Sequence, residues 1–322
     1  QMRRPDGERC ELPVPSTCAD CITHVALSRS SAGRLAGSVL RRAVEAAPDA
    51  LKEVGNRVAR RWAIRGASPG SHSEREAAIR NRLSTTQEAF RAVDMFFAPS
   101  RFLRERFLAS GIVPSDRIVW SPYGQDVERF PKHPKTPSER LRVGYLGTIS
   151  SYKGLGVLIE ALEALSAYPV EGRIHGALEI FPDYTAHLRA TIRNPRIALL
   201  GRFDNRDVAR LLADIDVLVV PSLWWENAPL TIHEAFLSKT PVVTSDIGGM
   251  KELVQHGVNG LHFKAGDAAD LASVLRSLAL DRASLRTLEP DPSIVRDIRE
   301  DALSMLARYS AAVSASSERA FA

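Results

Sequence analysis

The stretch PSLWWENAPLTIHEAFLSKTPVVTSD, Pro221 to Asp246, decides the predicted fold. It begins at the end of one apolar run, 216–222 (DVLVVPS), and finishes in another, 241–246 (PVVTSD), with helical spacing of apolar residues between them. A helix that joins two such Val-rich strands is the unit from which parallel sheets are built. The stretch also holds two carboxylates, because Glu226 lies before the predicted helix and Glu234 lies one turn inside it.

The same alternation of strands and helices continues on both sides of this stretch. Strands are predicted at 142–148, 172–178, 197–203, 216–222, 241–246 and 260–264, and helices at 154–167, 183–193, 205–214, 230–239, 249–256 and 267–288. Strands this rich in Val, Ile and Leu are typical of a parallel sheet covered on both faces. Such sheets bind ligands at the carboxyl ends of their strands, so we look for the site in the loops that follow them.

The rest of the chain is less regular. Further helices are predicted at 34–65, 74–92, 101–111 and 293–311, short strands at 94–100 and 117–124, and a proline-rich linker at 130–140. We therefore expect a partial N-terminal domain at 1–138, a C-terminal domain at 139–290, and a C-terminal helix and tail at 291–322.

Composition indicates a globular protein of about two domains. The chain has 322 residues, of which 44% are hydrophobic and 25% charged, so wholesale disorder is not expected. A run of eighteen apolar residues and a secretory signal pattern are both absent from the sequence. We therefore predict a cytoplasmic protein.

Positive charge is concentrated near the front of the chain. Residues 1–110 hold 19 Lys and Arg against 12 Asp and Glu, whereas the remainder holds 24 against 26. A basic front suits phosphate-rich substrates, anionic lipid or nucleic acid, and a solvated arginine-rich face is the simpler explanation. The sequence shows no aromatic-rich basic motif, so nucleic acid is not a predicted partner.

Three cysteines near the front allow a metal site. Cys10, Cys18 and Cys21 are the cysteines of the chain, and His24 follows shortly after them. Thiolates and an imidazole are ligands of structural zinc sites, and these four residues could just supply one. A loop of unpaired thiols, or a site whose fourth ligand lies upstream, fits the same spacing.

Two loops that follow predicted strands have the chemistry of a phosphate site. The first is GTISSYKG, 147–154, in which Gly147 allows a close approach of backbone and Lys153 lies where a helix begins. The second leads into the helix of the opening stretch, whose first helical position suits Pro229. That position leaves three unpaired N–H groups at the helix start to face an anion, those of Leu230, Thr231 and Ile232.

The helical phase separates the two carboxylates. Glu234 is predicted on the face opposite to Ile232 and Phe236, away from the core. A carboxylate at this depth can accept hydrogen bonds from sugar hydroxyls beside a bound phosphate. Taken alone, Glu226 also fits a solvated loop acid, and Glu234 a surface charge favoured by the helix dipole. Arg202 fits a surface arginine as well as a contact for a nucleobase or phosphate.

Taken together, these segments resemble the retaining glycosyltransferases of family 4, which have the GT-B fold. The resemblance covers most of 94–288 and rests on the segments APSRFLRERFLASGIVPSDRIVWSPYGQDVERF, VGYLGTISSYKGLGVLIEAL and ADIDVLVVPSLWWENAPLTIHEAFLSKTPVVTSDIGGMKELV. The last segment is similar to the family's motif of two glutamates separated by seven residues, followed by a turn with two glycines.

The resemblance implies a nucleotide-sugar site in the C-terminal half and an acceptor site in the N-terminal half. Lys153 would hold the donor diphosphate, Glu226 the transferred sugar and Glu234 the ribose, with Lys153 and Glu226 as the catalytic residues. The implied donor-binding set is Gly147, Thr148, Lys153, Arg202, Glu226, Asn227, Ala228, Pro229, Leu230, Thr231 and Glu234. Family members use a UDP- or GDP-sugar, retain configuration by what is usually drawn as a front-face displacement, and require no metal or other cofactor.

The chain departs from the family pattern at two places. Thr148 follows Gly147 where the family usually has arginine, so one phosphate-neutralising charge is missing. The Gly-rich loop and acceptor-side histidine of a full N-terminal half have no match, and RRPDGERCELPVPSTCADC (3–21) resembles a Cys-rich insertion midway through that half. The resemblance thus implies that the first part of the N-terminal domain is missing here, which would impair activity.

We therefore predict a hexosyltransferase-type enzyme that transfers sugar to a saccharide or lipid-linked acceptor in polysaccharide or glycolipid synthesis. The basic segment 34–65 is predicted to rest on the anionic inner face of the membrane. Two alternatives stay open: a GT-B epimerase of nucleotide sugars, and a non-catalytic protein that binds nucleotide sugars or nucleic acid.

Overall fold

The computed structural model describes residues 14–16, 18, 19, 21, 71–131 and 133–320. The chain forms two compact units that divide between Val93 and Asp94. In the first unit, helix α1 spans His72–Arg91 and begins with a capping box, in which Ser71 and Glu74 satisfy each other's backbone N–H. The helix predicted at 34–65 lies outside the described residues, and the domain boundary at 138 stays a prediction.

The second unit opens with a short strand–helix–strand segment. Strand β1 (Phe96–Ala98) pairs in parallel with β2 (Ile118–Trp120), and helix α2 (Arg101–Ser110) connects them. The Ser100 hydroxyl accepts the N–H of Leu103 and caps the start of α2. These elements confirm the predictions for this part of the chain, with strands shorter than expected.

A six-stranded parallel sheet forms the centre of the second unit. Its strands are β3 (Leu141–Leu146), β4 (Val170–His175), β5 (Ile197–Gly201), β6 (Val217–Val220), β7 (Val242–Ser245) and β8 (Gly260–Phe263), in the order β5-β4-β3-β6-β7-β8. The strand order reverses between β3 and β6, which lie side by side. Open α/β sheets bind their ligands in the crevice beyond the carboxyl ends of the strands at such a point.

Helices fill the connections and bury the sheet. They are α3 (Leu155–Ala164), α4 (Pro182–Thr191), α5 (Val208–Ala213), α6 (Leu230–Leu237), α7 (Gly248–Leu253) and α8 (Ala268–Leu280). The core combines strand residues with residues of α3 and α8, among them Val143, Ile174, Val219, Leu158, Leu162 and Leu275, all almost fully buried. The predicted α/β domain with its alternating order is confirmed.

The C-terminal helices differ from the prediction. The helix expected over 267–288 ends at Leu280 and is followed by the short α9 (Ser284–Thr287), because the Asp281 carboxylate accepts the N–H of Ala283 and competes with helix continuation. The last helix, α10, spans Ile298–Ala320 rather than 293–311. Among the described residues, the structure has no helix whose length and apolar character would let it cross a membrane.

The predicted linker is fastened to the sheet by one lysine. The described residues between 131 and 140 contain no helix or strand, as expected. Lys135 lies among them, and its Nζ donates to the carbonyl of Ile215 at 3.0 Å and to the hydroxyl of Thr240 at 3.1 Å. Burial lowers the pKa of Lys135 to about 8. The linker is therefore anchored through polar contacts at residues just before β6 and β7.

Candidate functional site

The loops that follow β3 and β6 meet at one point of close contact. Gly154, at the end of the first loop, has a φ of 73°, and a Cβ atom there would lie 1.8 Å from the carbonyl oxygen of Pro221 in the second. The N–H of Leu223 also donates to the carbonyl of Tyr152 at 2.9 Å. Any side chain at position 154 would overlap the Pro221 carbonyl, so glycine is needed there for the two loops to lie against each other.

Lys153 and Glu226 form an ion pair where the two loops meet. Lys153 Nζ lies 2.6 Å from Glu226 Oε1, and the Ser222 hydroxyl donates to the same oxygen at 2.8 Å. The Glu226 side chain is 11% exposed and that of Lys153 is 29% exposed. The structure therefore brings the two predicted catalytic residues into direct contact, and it adds Ser222, which the sequence analysis missed.

The start of α7 supports the loop that carries Glu226. The N–H of Gly249 donates to the carbonyl of Glu226 at 2.8 Å. A Cβ atom on Gly249 would lie 1.7 Å from the carbonyl oxygen of Asn227, and Gly248 has a φ of 62°. The predicted two-glycine turn is thus the surface on which the Glu226–Asn227 backbone rests.

Two aromatic clusters flank the pair. Trp225 is buried, with the ring of Phe102 edge-on at 5.6 Å and the guanidinium of Arg106 at 4.3 Å from its ring centroid. Phe102 and Arg106 lie on α2, so this helix supports the residue next to Glu226. Trp224 is half-buried beside Tyr152, whose ring lies 5.7 Å away. Spacing along the sequence gives no sign that these tryptophans and α2 lie together.

The start of α6 corrects one expectation. Pro229 is the N-cap residue, with a ψ of 119°, and the helix begins at Leu230. The N–H of Ile232 then donates to the carbonyl of Pro229 at 3.0 Å, so it is not available to a ligand. Of the three predicted N–H groups, those of Leu230 and Thr231 lack an acceptor within the described part of the chain. Pro229 fails as a first helical residue because its extended ψ lies outside the helical range.

The helical phase of α6 is as predicted. Ile232 and Phe236 are fully buried, and Glu234 on the other side is half-buried. Burial raises the pKa of Glu234, and the nearby Arg129 opposes that rise. His233 is buried, burial lowers its pKa to about 4, and its Nδ1 finds no hydrogen-bond partner among the described residues.

Contacts with neighbouring residues hold the loop that follows β3 in place. The Tyr145 hydroxyl donates to the carbonyl of Thr148 at 2.7 Å, and burial raises the pKa of that tyrosine. A Cβ atom on Gly176 would lie 2.1 Å from the carbonyl oxygen of Gly147, so the residue that follows β4 and the loop approach closely. The Ser150 hydroxyl is buried and has no partner among the described residues. Nothing in the sequence pattern distinguished Ser150 from an ordinary loop serine.

The structure does not bring Arg202 to this pair. Its guanidinium is exposed and forms an ion pair with exposed Glu179. It lines a groove of about 760 Å³ whose walls come from β4, β5 and α5, including Arg173, His175, Leu200 and Arg210, and not from Lys153 or Glu226. The donor-binding role of Arg202 stays a prediction.

The predicted zinc site lies largely outside the described residues. Cys18 and Cys21 are half-buried, while Cys10 and His24 are not described. Within the described ranges, no group of three or more His, Cys, Asp or Glu side chains is arranged to hold a metal ion. The four-residue metal site therefore stays a prediction.

Comparison with known proteins finds relatives for part of the chain. Residues 140–281 match the sequence model of the family described as Glycosyl transferases group 1. The amylovoran biosynthesis glycosyltransferase AmsK of Erwinia amylovora is 29% identical over 196 residues, which are 58% of this chain and 47% of that protein. The putative colanic acid biosynthesis glycosyltransferase WcaL of Salmonella typhimurium is 30% identical over 224 residues, 66% of this chain and 53% of that protein. The chain spans about half the length of the curated relatives it matches.

Solved structures share the fold at low sequence identity. HepE of Anabaena, determined in complex with UDP and glucose, gives a TM-score of 0.63 at 23% identity, over 87% of this chain and 83% of that chain. Sucrose-phosphate synthase of Thermosynechococcus elongatus gives a TM-score of 0.64 at 23% identity, over 73% of this chain and 62% of that chain. Both have the GT-B fold. Residues 140–281 are therefore similar to the glycosyl transferases group 1 family, and the parallel sheet that they build has the GT-B type of α/β fold.

Proposed function

We propose that the protein is a glycosyltransferase that moves a sugar from a nucleotide-sugar donor to a saccharide or lipid-linked acceptor, with retention of configuration. The observation that carries the proposal is the Lys153–Glu226 pair, which lies in the loops at the point where the strand order reverses. Relatives named for amylovoran and colanic acid biosynthesis support a polysaccharide product. A neighbour solved with UDP and glucose supports the class of donor.

The donor diphosphate is assigned to Lys153 and the start of α6. An ammonium group neutralises phosphate charge, and the N–H groups of Leu230 and Thr231 add donors at the positive end of the helix dipole. As the bond between the sugar and the diphosphate breaks, negative charge builds up on the diphosphate, and these groups stabilise it. This residue set supplies that stabilisation without a metal or cofactor.

The sugar and the nucleoside are assigned to the carboxylates on either side of this helix start. Glu226, with the backbone of Asn227 and Ala228, would contact the transferred sugar. Glu234 would accept hydrogen bonds from the ribose hydroxyls. The backbone at Gly147 and Thr148 would close the other side of the donor site, because Tyr145 donates to Thr148 and Gly176 packs closely against Gly147.

The remaining assignments concern the whole protein. We assign the acceptor to residues 1–138 and the donor to 139–290, with 291–322 as a C-terminal helix and tail. We place the protein in the cytoplasm, with the basic segment 34–65 against the inner face of the membrane, where a lipid-linked acceptor would be presented.

Calorimetric titration of the chain with UDP, GDP, UDP-glucose and GDP-mannose tests the proposal. We expect one nucleotide and its sugar derivative to bind, since the site offers a charge and backbone donors for a diphosphate. A folded chain that binds none of the four ligands would contradict the proposed function.

A further inference from the structure

We propose that the Lys153–Glu226 ion pair makes the sugar part of the donor a condition for tight nucleotide binding. In this account, Lys153 exchanges the Glu226 carboxylate for the diphosphate, and sugar hydroxyls replace the ammonium on Glu226. The inference rests on the proposed function, because it assumes that a nucleotide sugar occupies the site.

Among the described residues, the Glu226 carboxylate receives its hydrogen bonds on one side only. Both donors to the Glu226 side chain, the Lys153 ammonium and the Ser222 hydroxyl, reach the same oxygen, Oε1. Within the described residues, Oε2 receives no hydrogen bond. With its side chain 11% exposed, Glu226 has little water to replace a lost partner. The carboxylate therefore depends on Lys153 for its charge compensation.

Moving Lys153 away from Glu226 has a cost. One ammonium cannot keep its 2.6 Å contact with Glu226 and also turn fully to a phosphate. When Lys153 turns to a diphosphate, the Glu226 carboxylate keeps only the Ser222 hydroxyl. Leaving a poorly hydrated carboxylate without its partner costs free energy, and this cost lowers the affinity for a nucleoside diphosphate that carries no sugar.

A sugar compensates for this cost. Sugar hydroxyls are hydrogen-bond donors, and two of them can replace the ammonium on a carboxylate with two free acceptor positions. The sugar of a nucleotide sugar therefore restores hydrogen bonds to Glu226 that are lost when a nucleotide without a sugar binds. The same exchange weakens the hold on the nucleoside diphosphate once the sugar has been transferred, which favours release of that product.

The exchange predicts opposite signs for two variants. Glu226→Gln removes the charge that holds Lys153 and frees the ammonium for the diphosphate, so UDP should bind about 10-fold more tightly, the equivalent of about 1.4 kcal/mol. Ser222→Ala removes the last protein donor to the carboxylate after the exchange, so UDP should bind several-fold more weakly. If Glu226 merely contacted the sugar, neither substitution would change the affinity for UDP.

The experiment is a calorimetric double-mutant cycle with UDP and UDP-glucose on the wild type, E226Q, S222A, K153M and the K153M/E226Q double variant. We expect tighter UDP binding in E226Q, a reduced preference for UDP-glucose over UDP, and no tightening when E226Q is added to K153M. Melting temperatures establish that each variant is folded, and S222A supplies the test by itself if E226Q does not fold.

The outcomes separate the inference from the proposed function. A wild-type chain that binds neither ligand overturns both. A wild-type chain that binds UDP, with unchanged or weaker UDP binding in folded E226Q, overturns the exchange alone. Equal tightening in the wild-type and K153M backgrounds also overturns it, because the gain would then not come from Lys153. Unchanged UDP affinity in S222A has the same consequence.

Discussion

Gly154 and Pro221 lie so close that a Cβ atom on the glycine would be 1.8 Å from the proline's carbonyl oxygen. This contact holds the loop after β3 against the loop after β6, and it lies next to the Lys153–Glu226 pair. The two loops are more than sixty residues apart in sequence. A side chain at position 154 would prevent them from meeting and would disturb the site.

Gly154→Ala is therefore expected to destabilise the protein by about 3 kcal/mol or more, because a clash with backbone adds to the strain of a positive φ. Gly257→Ala is the matched control. Gly257 has a φ of 80° and a Cβ there would meet no atom within 4 Å, so only the strain of about 1 kcal/mol should appear. Equal melting temperatures for the two variants would contradict the close contact.

Buried His233 is expected to make stability depend on pH. Its pKa is about 4 in the fold, whereas the unfolded chain takes up this proton near pH 6.5. Stability is thus complete above the unfolded pKa and falls as the pH drops from 6.5 towards 4, by roughly 2–4 kcal/mol. Urea unfolding at several pH values measures this slope.

His233→Leu should reduce that slope, since the leucine takes up no proton. His187→Leu, at an exposed position on α4, is the control and should keep the wild-type slope. A slope that is the same in H233L and in the wild type would show that other groups cause the pH dependence.

Glu234→Ala is expected to weaken nucleotide binding by roughly 1.5–3 kcal/mol, about 10–150-fold, if the carboxylate accepts hydrogen bonds from the ribose. Burial raises the pKa of Glu234, so this residue takes up a proton at a higher pH than an exposed glutamate does. As the pH falls and Glu234 becomes protonated, its hydrogen bonds to the ribose weaken and the affinity for the nucleotide should fall. Calorimetry across pH tests both effects. Glu160→Ala, an exposed acid on α3, should bind as the wild type does, and equal affinity in E234A would exclude the ribose contact.

The fold could be predicted from the sequence because the signals involved are local. The apolar strands and helices around 221–246 predict a parallel sheet, and the placement of Lys153 and Glu226 after two strands predicts that they serve one ligand. The direct contact between them could not be predicted, because it requires β3 and β6 to be neighbours, and strand order is not a local property. The same limit applies to Gly154, whose partner is far away in the sequence.

Finer details of the site depended on backbone angles that residue types do not determine. Proline is compatible with both the N-cap and the first helical position, and the observed ψ of Pro229 selects the former. Arg202 follows a strand end as Lys153 does, yet its long side chain pairs with Glu179 on the surface. Spacing alone cannot distinguish these outcomes, since it does not say where a flexible side chain finds its partner.

The central claim is that Lys153 holds the diphosphate of a nucleotide sugar. Its most direct test is a calorimetric titration of Lys153→Met with UDP-glucose, beside the wild type and the control Lys264→Met, which changes an exposed lysine after β8. We expect the affinity of K153M to fall by about 100-fold or more, since a charge-assisted contact of about 3 kcal/mol is lost, while K264M binds like the wild type. A folded K153M that binds UDP-glucose as tightly as the wild type would contradict the account.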